Sequence, residues 1–137
     1  MTRLAALRQA LSYRPWWMNL MWFFCIFMAV AYMPWDIVLK PLAEDQEVWF
    51  GVLFTGWWAK VLAVPHWFVY GAGAYGFWKM KRWMWPWAAL YTLQVAIGMA
   101  VWNLLDERGS IIGAVVAGGL FLLPTIALWR TRAFNAG

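Results

Sequence analysis

Apolar and polar residues follow one another along this chain in long blocks, not in the short periods of soluble helices and strands. Four apolar stretches, at residues 16–35, 57–78, 83–105 and 110–129, are separated by polar or basic segments. A helix of about 20 residues is about 30 Å long, which matches the hydrocarbon thickness of a bilayer. The pattern therefore predicts an all-α, polytopic membrane protein built as a four-transmembrane-helix bundle.

The segments outside these stretches complete the predicted organisation. Residues 1–15 carry leucines at helical spacing with arginines between them, which favours an amphipathic surface helix. The bundle then covers residues 16–132, and residues 133–137 form a tail. Residues 49–56 are apolar, but joined to the second stretch they would make a span too long for the bilayer. We expect an outer interfacial or partly re-entrant segment there, and one long tilted or kinked helix is the alternative.

The composition indicates that lipid is the main solvent of the chain. Hydrophobic residues make up 65% of the 137 residues and charged residues 12%, whereas a soluble domain carries about 25% charged residues. The 14 tryptophans are typical of the zone between hydrocarbon and headgroups, because the indole ring is apolar and its N–H is polar. We expect the lipid bilayer to be a partner and no binding of nucleic acid, despite the net charge of +5.

The charged residues separate according to the side of the membrane on which their loops would lie. Eight of the eleven basic residues fall on the side of the two termini, and all six acidic residues fall on the other side. Cytoplasmic loops are enriched in Lys and Arg. The pattern therefore predicts an integral protein of a bacterial inner membrane with both termini in the cytoplasm.

His66, the only histidine of the chain, lies inside the second stretch and directly follows Pro65. An ionisable residue within a span is a functional hypothesis by default, and imidazole can ligate a haem iron or a pigment magnesium or move a proton. We take His66, Trp67, Tyr70 and Trp22 as candidate binding residues for an apolar ligand such as a lipid, quinone, haem or pigment. The alternative is a structural histidine bonded to Tyr70 or to the backbone near Pro65.

A second candidate is a charge pair near the outer ends of the spans. Lys60 lies within one turn of the outer end of the second stretch, while Asp36 and Asp106 lie at the outer ends of the first and third stretches. A Lys60–Asp36 or Lys60–Asp106 pair would suit a small homodimeric transporter. Three unrelated interfacial charges are the alternative, because exposed ion pairs contribute little energy.

Small residues recur in the second and fourth stretches at spacings that favour close packing of helices. They are Gly71, Gly73, Gly76, Gly113, Ala117 and Gly118. In lipid, where no hydrophobic force drives helices together, such residues allow close backbone contact. These faces serve either internal packing of the second span against the fourth, or docking of a second copy or another membrane protein.

No catalytic residues are identified, because the sequence has no Ser-His-Asp set, P-loop or dinucleotide fingerprint. It also lacks a His pair, a Cys pair and a mid-span carboxylate, which leaves any metal or cofactor unknown. We do not expect an enzyme. We expect a small accessory or assembly subunit that packs through its small-residue faces against a larger membrane complex or itself. The alternative is a binder or carrier of an apolar ligand near His66, and a homodimeric transporter is a weaker one.

Overall fold

The computed structural model describes residues 2–136 and is mostly helical. In chain order the helices are α1 (Arg3–Ser12), α2 (Trp16–Phe27), α3 (Met33–Val38), α4 (Gly56–Lys79), α5 (Met84–Leu105) and α6 (Ile111–Arg130). A π-helical segment, Met28–Tyr32, joins α2 to α3, and short 3-10 turns lie at Leu42–Glu44 and Ala133–Ala136. A two-stranded antiparallel hairpin, β1 (Gln46–Trp49) and β2 (Val52–Thr55), precedes α4.

Three helical runs of the described chain are long and apolar enough to cross a membrane: Trp16–Val38, Met84–Leu105 and Ile111–Arg130. These runs confirm the membrane-helix class that the apolar blocks predict. The predicted count of four apolar spans is not met. Although α4 has 24 residues, it contains Lys60, Pro65 and His66, which lower its hydropathy.

The first membrane helix continues past Pro34 and past the predicted end of its apolar stretch at residue 35, and it ends at Val38. In the π-helical segment an N–H bonds the carbonyl five residues earlier, as the Met33 N–H does to the Met28 oxygen. Pro34 has no N–H, and so it leaves the Ala29 carbonyl without this bond. The Trp67 indole Nε1 donates to the Ala29 oxygen at 2.7 Å. The bond satisfies that carbonyl and ties α4 to the first helix.

Residues 49–56 belong mainly to the hairpin, which the sequence patterns did not indicate. The segment is separate from α4 up to Thr55, so the alternative of one long second helix is wrong. Its two turn residues, Phe50 with φ 49° and Gly51 with φ 84°, both adopt the left-handed conformation that a two-residue hairpin turn requires. The chain therefore reverses here, and β1 is brought back along α4.

Side chains of α4 and α5 hold the hairpin in place. The Trp49 indole donates to the Leu62 carbonyl of α4 at 2.9 Å. The Phe50 N–H donates to Gln94 Oε1 of α5 at 3.2 Å, and the Trp102 indole donates to Gln46 Oε1 at 2.9 Å. The hairpin thus bridges the two helices at the end of the molecule that carries the acidic loops.

The long helices associate as two pairs, α2 with α4 and α5 with α6, and α4 and α5 touch each other little. Small residues lie at the contacts between the two helices of each pair. A Cβ added at Gly73 would meet Cys25 Sγ of α2 at 3.0 Å, and one at Gly118 would meet the Ala100 side chain of α5 at 3.3 Å. The expected packing of the second span against the fourth is therefore wrong, because each span uses its small residues against a different neighbour.

The other predicted packing residues divide between buried and open positions. Gly76 adjoins Met84, and Gly113 adjoins Asn103 of α5. Ala117 is half-buried. Gly71 has open space beyond it, with no atom within 4 Å of an added Cβ. Of the six predicted positions, Gly71 alone has the free surface that docking of another chain would need.

A buried core closes the basic end of the molecule, and it consists mainly of Met18, Phe77, Met84, Leu128 and Phe134. Because these residues come from α2, α4, α5, α6 and the C-terminal turn, the cluster gathers five elements at one end. The two helix pairs are therefore joined here by the core and at the opposite end by the hairpin.

Arg14 is buried next to this core and binds the end of α4. Its Nη1 donates to the carbonyls of Phe77 and Trp78 at 3.0 and 3.2 Å, and its Nε donates to Asn19 Oδ1 at 2.9 Å. Burial lowers the pKa of Arg14. A cation at a helix C-terminus stabilises the helix dipole and its free carbonyls. The side chain thus fixes the entry of the first span against the exit of α4.

Candidate functional site

A large apolar cavity of about 950 Å³ lies between the α2–α4 pair and the α5–α6 pair. Trp49 and Phe50 of the hairpin line one end of it, and Phe77, Met84 and Leu128 of the core line the other. The hydrogen-bonding side chains on its walls include Tyr70, Tyr91, Thr92 and Gln94. No Asp, Glu, Lys, Arg or His is among the lining residues within 2–136. Such walls suit an apolar ligand oriented by a few polar groups.

A second cavity, of about 700 Å³, lies at the acidic end and is polar. Its lining includes Asp36, Lys40, Glu44, Glu47, His66 and Arg108. Tyr70, Gln94 and Val95 line both cavities. These residues therefore stand at the boundary between the polar and the apolar space.

His66 of α4 is held at this boundary by three side chains from two elements, β1 and α5. Its Nε2 lies 3.0 Å from Glu47 Oε1 of β1, and its Nδ1 is hydrogen-bonded to the Tyr91 hydroxyl of α5. Its ring stacks on Trp49, with centroids 3.8 Å apart and an interplanar angle of 16°. The histidine is only 6% exposed, while the Glu47 side chain is 17% exposed. Glu47 is therefore the member of the set that reaches towards water.

These contacts assign the roles of the ring nitrogens when the histidine is neutral. The Glu47 carboxylate, 3.0 Å from Nε2, favours the neutral tautomer that carries its proton on Nε2, although the contact lacks hydrogen-bond geometry and Nε2 has no hydrogen-bond partner within residues 2–136. The other nitrogen, Nδ1, then accepts from the Tyr91 O–H. The Tyr70 hydroxyl lies within hydrogen-bonding reach of Tyr91, and the two rings meet edge to face at 5.9 Å. A continuous chain of polar groups thus leads from the polar cavity to the apolar one, and it consists of Glu47, His66, Tyr91 and Tyr70.

Two of the four predicted ligand residues lie elsewhere. Trp67 is 42% exposed and bonds the Ala29 carbonyl, and it lines neither cavity. Trp22 stacks on Trp78 at 4.9 Å, beside Arg14 at the basic end. Consecutive residues of a helix point about 100° apart, so Trp67 cannot share the face of His66. His66 and Tyr70 line the cavities and Trp22 and Trp67 line neither, while a binding role for any of the four stays a prediction.

Three of the residues that complete the site were not predicted: Glu47, Tyr91 and Trp49. Glu47 lies in the polar segment between the first two apolar stretches, and it reaches His66 because the hairpin reverses the chain. Tyr91 and Gln94 are three residues apart and so lie on one face of α5. That spacing of polar residues in an apolar span was the available signal for the α5 side of the site.

Gln94 has one amide atom unused. Its Oε1 accepts from the Phe50 N–H, which assigns the other atom as the Nε2 donor. Gln94 is 4% exposed, and its Nε2 has no hydrogen-bond partner within residues 2–136. A buried donor left unpaired costs about 1–3 kcal/mol. A ligand that accepts a hydrogen bond at this position would recover part of that energy.

The predicted charge pair takes a different form. Lys60 Nζ lies 2.9 Å from the carboxylate of Asp45, which was not a predicted partner, and it donates to the main-chain carbonyls of Asp36 and Lys40. The Asp36 carboxylate binds Lys40 at 3.1 Å. Two lysines and two buried aspartates thus balance one another in one cluster. Burial opposes the charge of Lys40, but the Asp36 bond and its charge outweigh this and raise the pKa of Lys40.

Asp106, the other predicted partner of Lys60, binds Arg108 instead, with 2.9 Å between Arg108 Nε and Oδ1. Hydrogen bonds from the Arg108 side chain and main-chain N–H lower the pKa of Asp106 to about 2. The Lys60–Asp106 pairing is therefore wrong, because a cation two residues away is already in contact.

No protein-family model, curated protein or solved structure matches this chain. Among the described residues, no group of three or more His, Cys, Asp and Glu side chains could hold a metal ion.

Proposed function

We propose that the protein binds an apolar ligand of lipid size in the cavity between its two helix pairs. One observation carries the proposal: the apolar cavity of about 950 Å³ ends at the buried, hydrogen-bonded set of His66, Tyr91 and Tyr70. Small-molecule sites are mostly apolar, with a few convergent polar groups that fix the orientation of the ligand. This cavity has both features.

The chemistry of the walls narrows the ligand class. Because no charged side chain is among the described lining residues, a ligand with a charged head would lose its hydration without gaining an ion pair. A haem or a pigment would need a free nitrogen of His66 as its metal ligand. Nδ1 is hydrogen-bonded to Tyr91, and a carboxylate oxygen of Glu47 lies 3.0 Å from Nε2, where a metal would have to bind. The geometry favours an uncharged lipid with a hydrogen-bonding head.

We place the site in a four-span arrangement in which α4 also crosses the membrane. With 24 residues, α4 would be about 36 Å long. Its two ionisable side chains at this end face carboxylates inside the protein, since Lys60 pairs with Asp45 and His66 is buried against Glu47. If the basic end is cytoplasmic in a bacterial inner membrane, the polar cavity opens to the outer side.

The test is to identify what copurifies with the protein. The chain would be purified in mild detergent, extracted with organic solvent, and the extract analysed by mass spectrometry. Ala72→Phe puts a ring into the cavity wall, whereas Gly71→Phe puts the same ring on the adjacent open surface. We expect one lipid species to be enriched in the wild type and in Gly71→Phe, and to be lost in Ala72→Phe. Equal amounts of that species in both variants would refute the proposal.

An accessory or assembly subunit is the second candidate, and the open surface at Gly71 favours it. The same two variants test this second candidate. A docked partner or second copy would be displaced by Gly71→Phe and retained by Ala72→Phe, which reverses the expectation for the ligand. Mass measurement of the detergent-solubilised complex separates the two outcomes. The ammonium group of Lys60 is fixed by Asp45 and two main-chain carbonyls, which does not favour a transporter based on this residue.

A further inference from the structure

The polar chain at the end of the cavity contains a hydroxyl whose direction depends on one proton. We infer that the ligand is a quinone-type lipid and that His66, by gaining or losing a proton, switches Tyr91 between preferring the quinol and the quinone form. The inference rests on the proposed function, because it names the ligand of the same cavity. It goes further because it identifies the Tyr91 hydroxyl as the group that contacts the head of that ligand.

With a neutral His66, Nδ1 accepts the Tyr91 O–H, and the Tyr91 oxygen acts as an acceptor, either for the Tyr70 O–H or for a ligand. A quinol offers the hydroxyl donor that this state needs. When His66 is protonated, both ring nitrogens donate, so Nδ1–H bonds the Tyr91 oxygen. The Tyr91 O–H must then turn away and donate, and a quinone offers the carbonyl acceptor. Tyr70, within reach of Tyr91, extends the same reversal along the cavity wall.

Gln94 supplies a second, fixed point of contact. Its buried Nε2 is a donor without a partner among the described residues, and it lies on the same face of α5 as Tyr91. Residues three apart on a helix have Cβ atoms about 5–6 Å apart, which suits a ring that carries oxygen atoms at opposite positions. Trp49 and Phe50 provide aromatic surface near that ring. The remaining apolar volume can take an isoprenoid tail.

The charges around His66 identify the side of the membrane that controls the switch. Several titratable or charged groups surround His66. Those on the neighbouring elements are Glu47 of β1, Tyr91 of α5, Tyr70 of α4 and Tyr32 of the π-helical segment, with Cys25 of α2 beyond Tyr70. The polar cavity adds Asp36, Lys40, Glu44 and Arg108. Lys40 is paired with Asp36, and Arg108 with Asp106. Glu47 is therefore the carboxylate in contact with the ring, and it lines the polar cavity. Protons reach His66 from that cavity.

The experiment measures two affinities as a function of pH. The full chain in lipid nanodiscs would be titrated with decyl benzoquinone and, without oxygen, with its quinol, between about pH 5 and pH 8, where imidazole titrates. One hydrogen bond gained or lost corresponds to about threefold to tenfold in affinity. We expect the ratio of quinone to quinol affinity to fall by that factor from the acidic to the alkaline limit. His66→Gln retains a polar side chain that does not titrate, and in it the ratio should stay constant.

Glu47→Gln keeps an acceptor beside Nε2 but removes the negative charge next to the ring, while His66 and Tyr91 are unchanged. We expect the ratio of quinone to quinol affinity still to vary with pH in this variant. It also serves as the test if His66→Gln does not fold. A ratio in the wild type that does not vary with pH would overturn the switch, as would an unchanged transition in His66→Gln.

The failure of this inference can be told from the failure of the proposed function. If Ala72→Phe removes a copurifying lipid but neither probe binds the wild type, the cavity is a lipid site and the quinone assignment is wrong. If no lipid copurifies and neither probe binds, both proposals are wrong.

Discussion

Nε2 of His66 lies 3.0 Å from Oε1 of Glu47, although the two residues belong to an apolar helix and to a segment that reads as a polar loop. The contact exists because β1 and β2 form a hairpin that lies against α4. It converts a lone membrane histidine into one end of a carboxylate–imidazole–hydroxyl set. The following predictions test that set and the contacts that hold it.

Tyr91→Phe should weaken both stability and ligand binding. The change leaves Nδ1 of the buried His66 without its partner, which costs about 1–3 kcal/mol. We expect a lower midpoint of thermal unfolding in detergent and less copurifying lipid. Tyr75→Phe is the matched control, since Tyr75 is exposed and its ring contacts only Lys81 among the interactions described for it. If both variants unfold at the same temperature as the wild type, the Tyr91 hydroxyl does not support His66.

The buried cluster of Lys60, Asp45, Lys40 and Asp36 should be far more sensitive to loss of one charge than to loss of a pair. Lys60→Met leaves the buried carboxylate of Asp45 without its closest cation and should destabilise the fold by roughly 3–5 kcal/mol. Asp45→Asn in the same chain removes that unpaired charge and should restore part of the loss. Lys79→Met, at an exposed position, is the control. Unfolding in denaturant measures all four proteins, and no recovery in the double variant would argue against the pairing.

The Asp106–Arg108 pair should contribute to stability only above acidic pH. The pKa of Asp106 is lowered from its ordinary value of 3.8 to about 2, mainly by hydrogen bonds from Arg108. A carboxyl whose pKa is lower in the folded state stabilises that state above its ordinary pKa, and the contribution is lost as the pH falls towards the lowered value. Asp106→Asn should therefore unfold at a slightly lower temperature than the wild type at pH 6, and the two curves should converge near pH 2. The exposed Glu107→Gln should show no such convergence.

The long helices are predictable from the sequence, while the site is only partly so. Apolar blocks of bilayer length determine where α4, α5 and α6 begin and end, because a spanning segment must satisfy its own backbone and match the membrane. A contact such as Glu47–His66 depends on a turn at Phe50 and Gly51, and Phe50 is not a residue type that signals left-handed backbone. The neighbour of His66 in sequence, Trp67, points to another face for reasons of helix geometry. The sequence indicates that Lys60 needs an anion near it, but it does not indicate that the loop before β1 places Asp45 there.

The indole of Trp67 should matter for the continuity of the first membrane helix, through the carbonyl that Pro34 leaves free. Trp67→Phe removes the donor to the Ala29 oxygen and should lower the free energy of unfolding by about 1 kcal/mol. Pro34→Ala returns an N–H that can bond this carbonyl from within the helix. In the Pro34→Ala background, the same Trp67→Phe change should therefore have a smaller effect, a coupling that a double-mutant cycle measures. Trp58→Phe, at an exposed position of α4, controls for loss of an indole as such. If the cycle shows no coupling, Trp67 and Pro34 act independently, and the extension of the first helix to Val38 needs another cause.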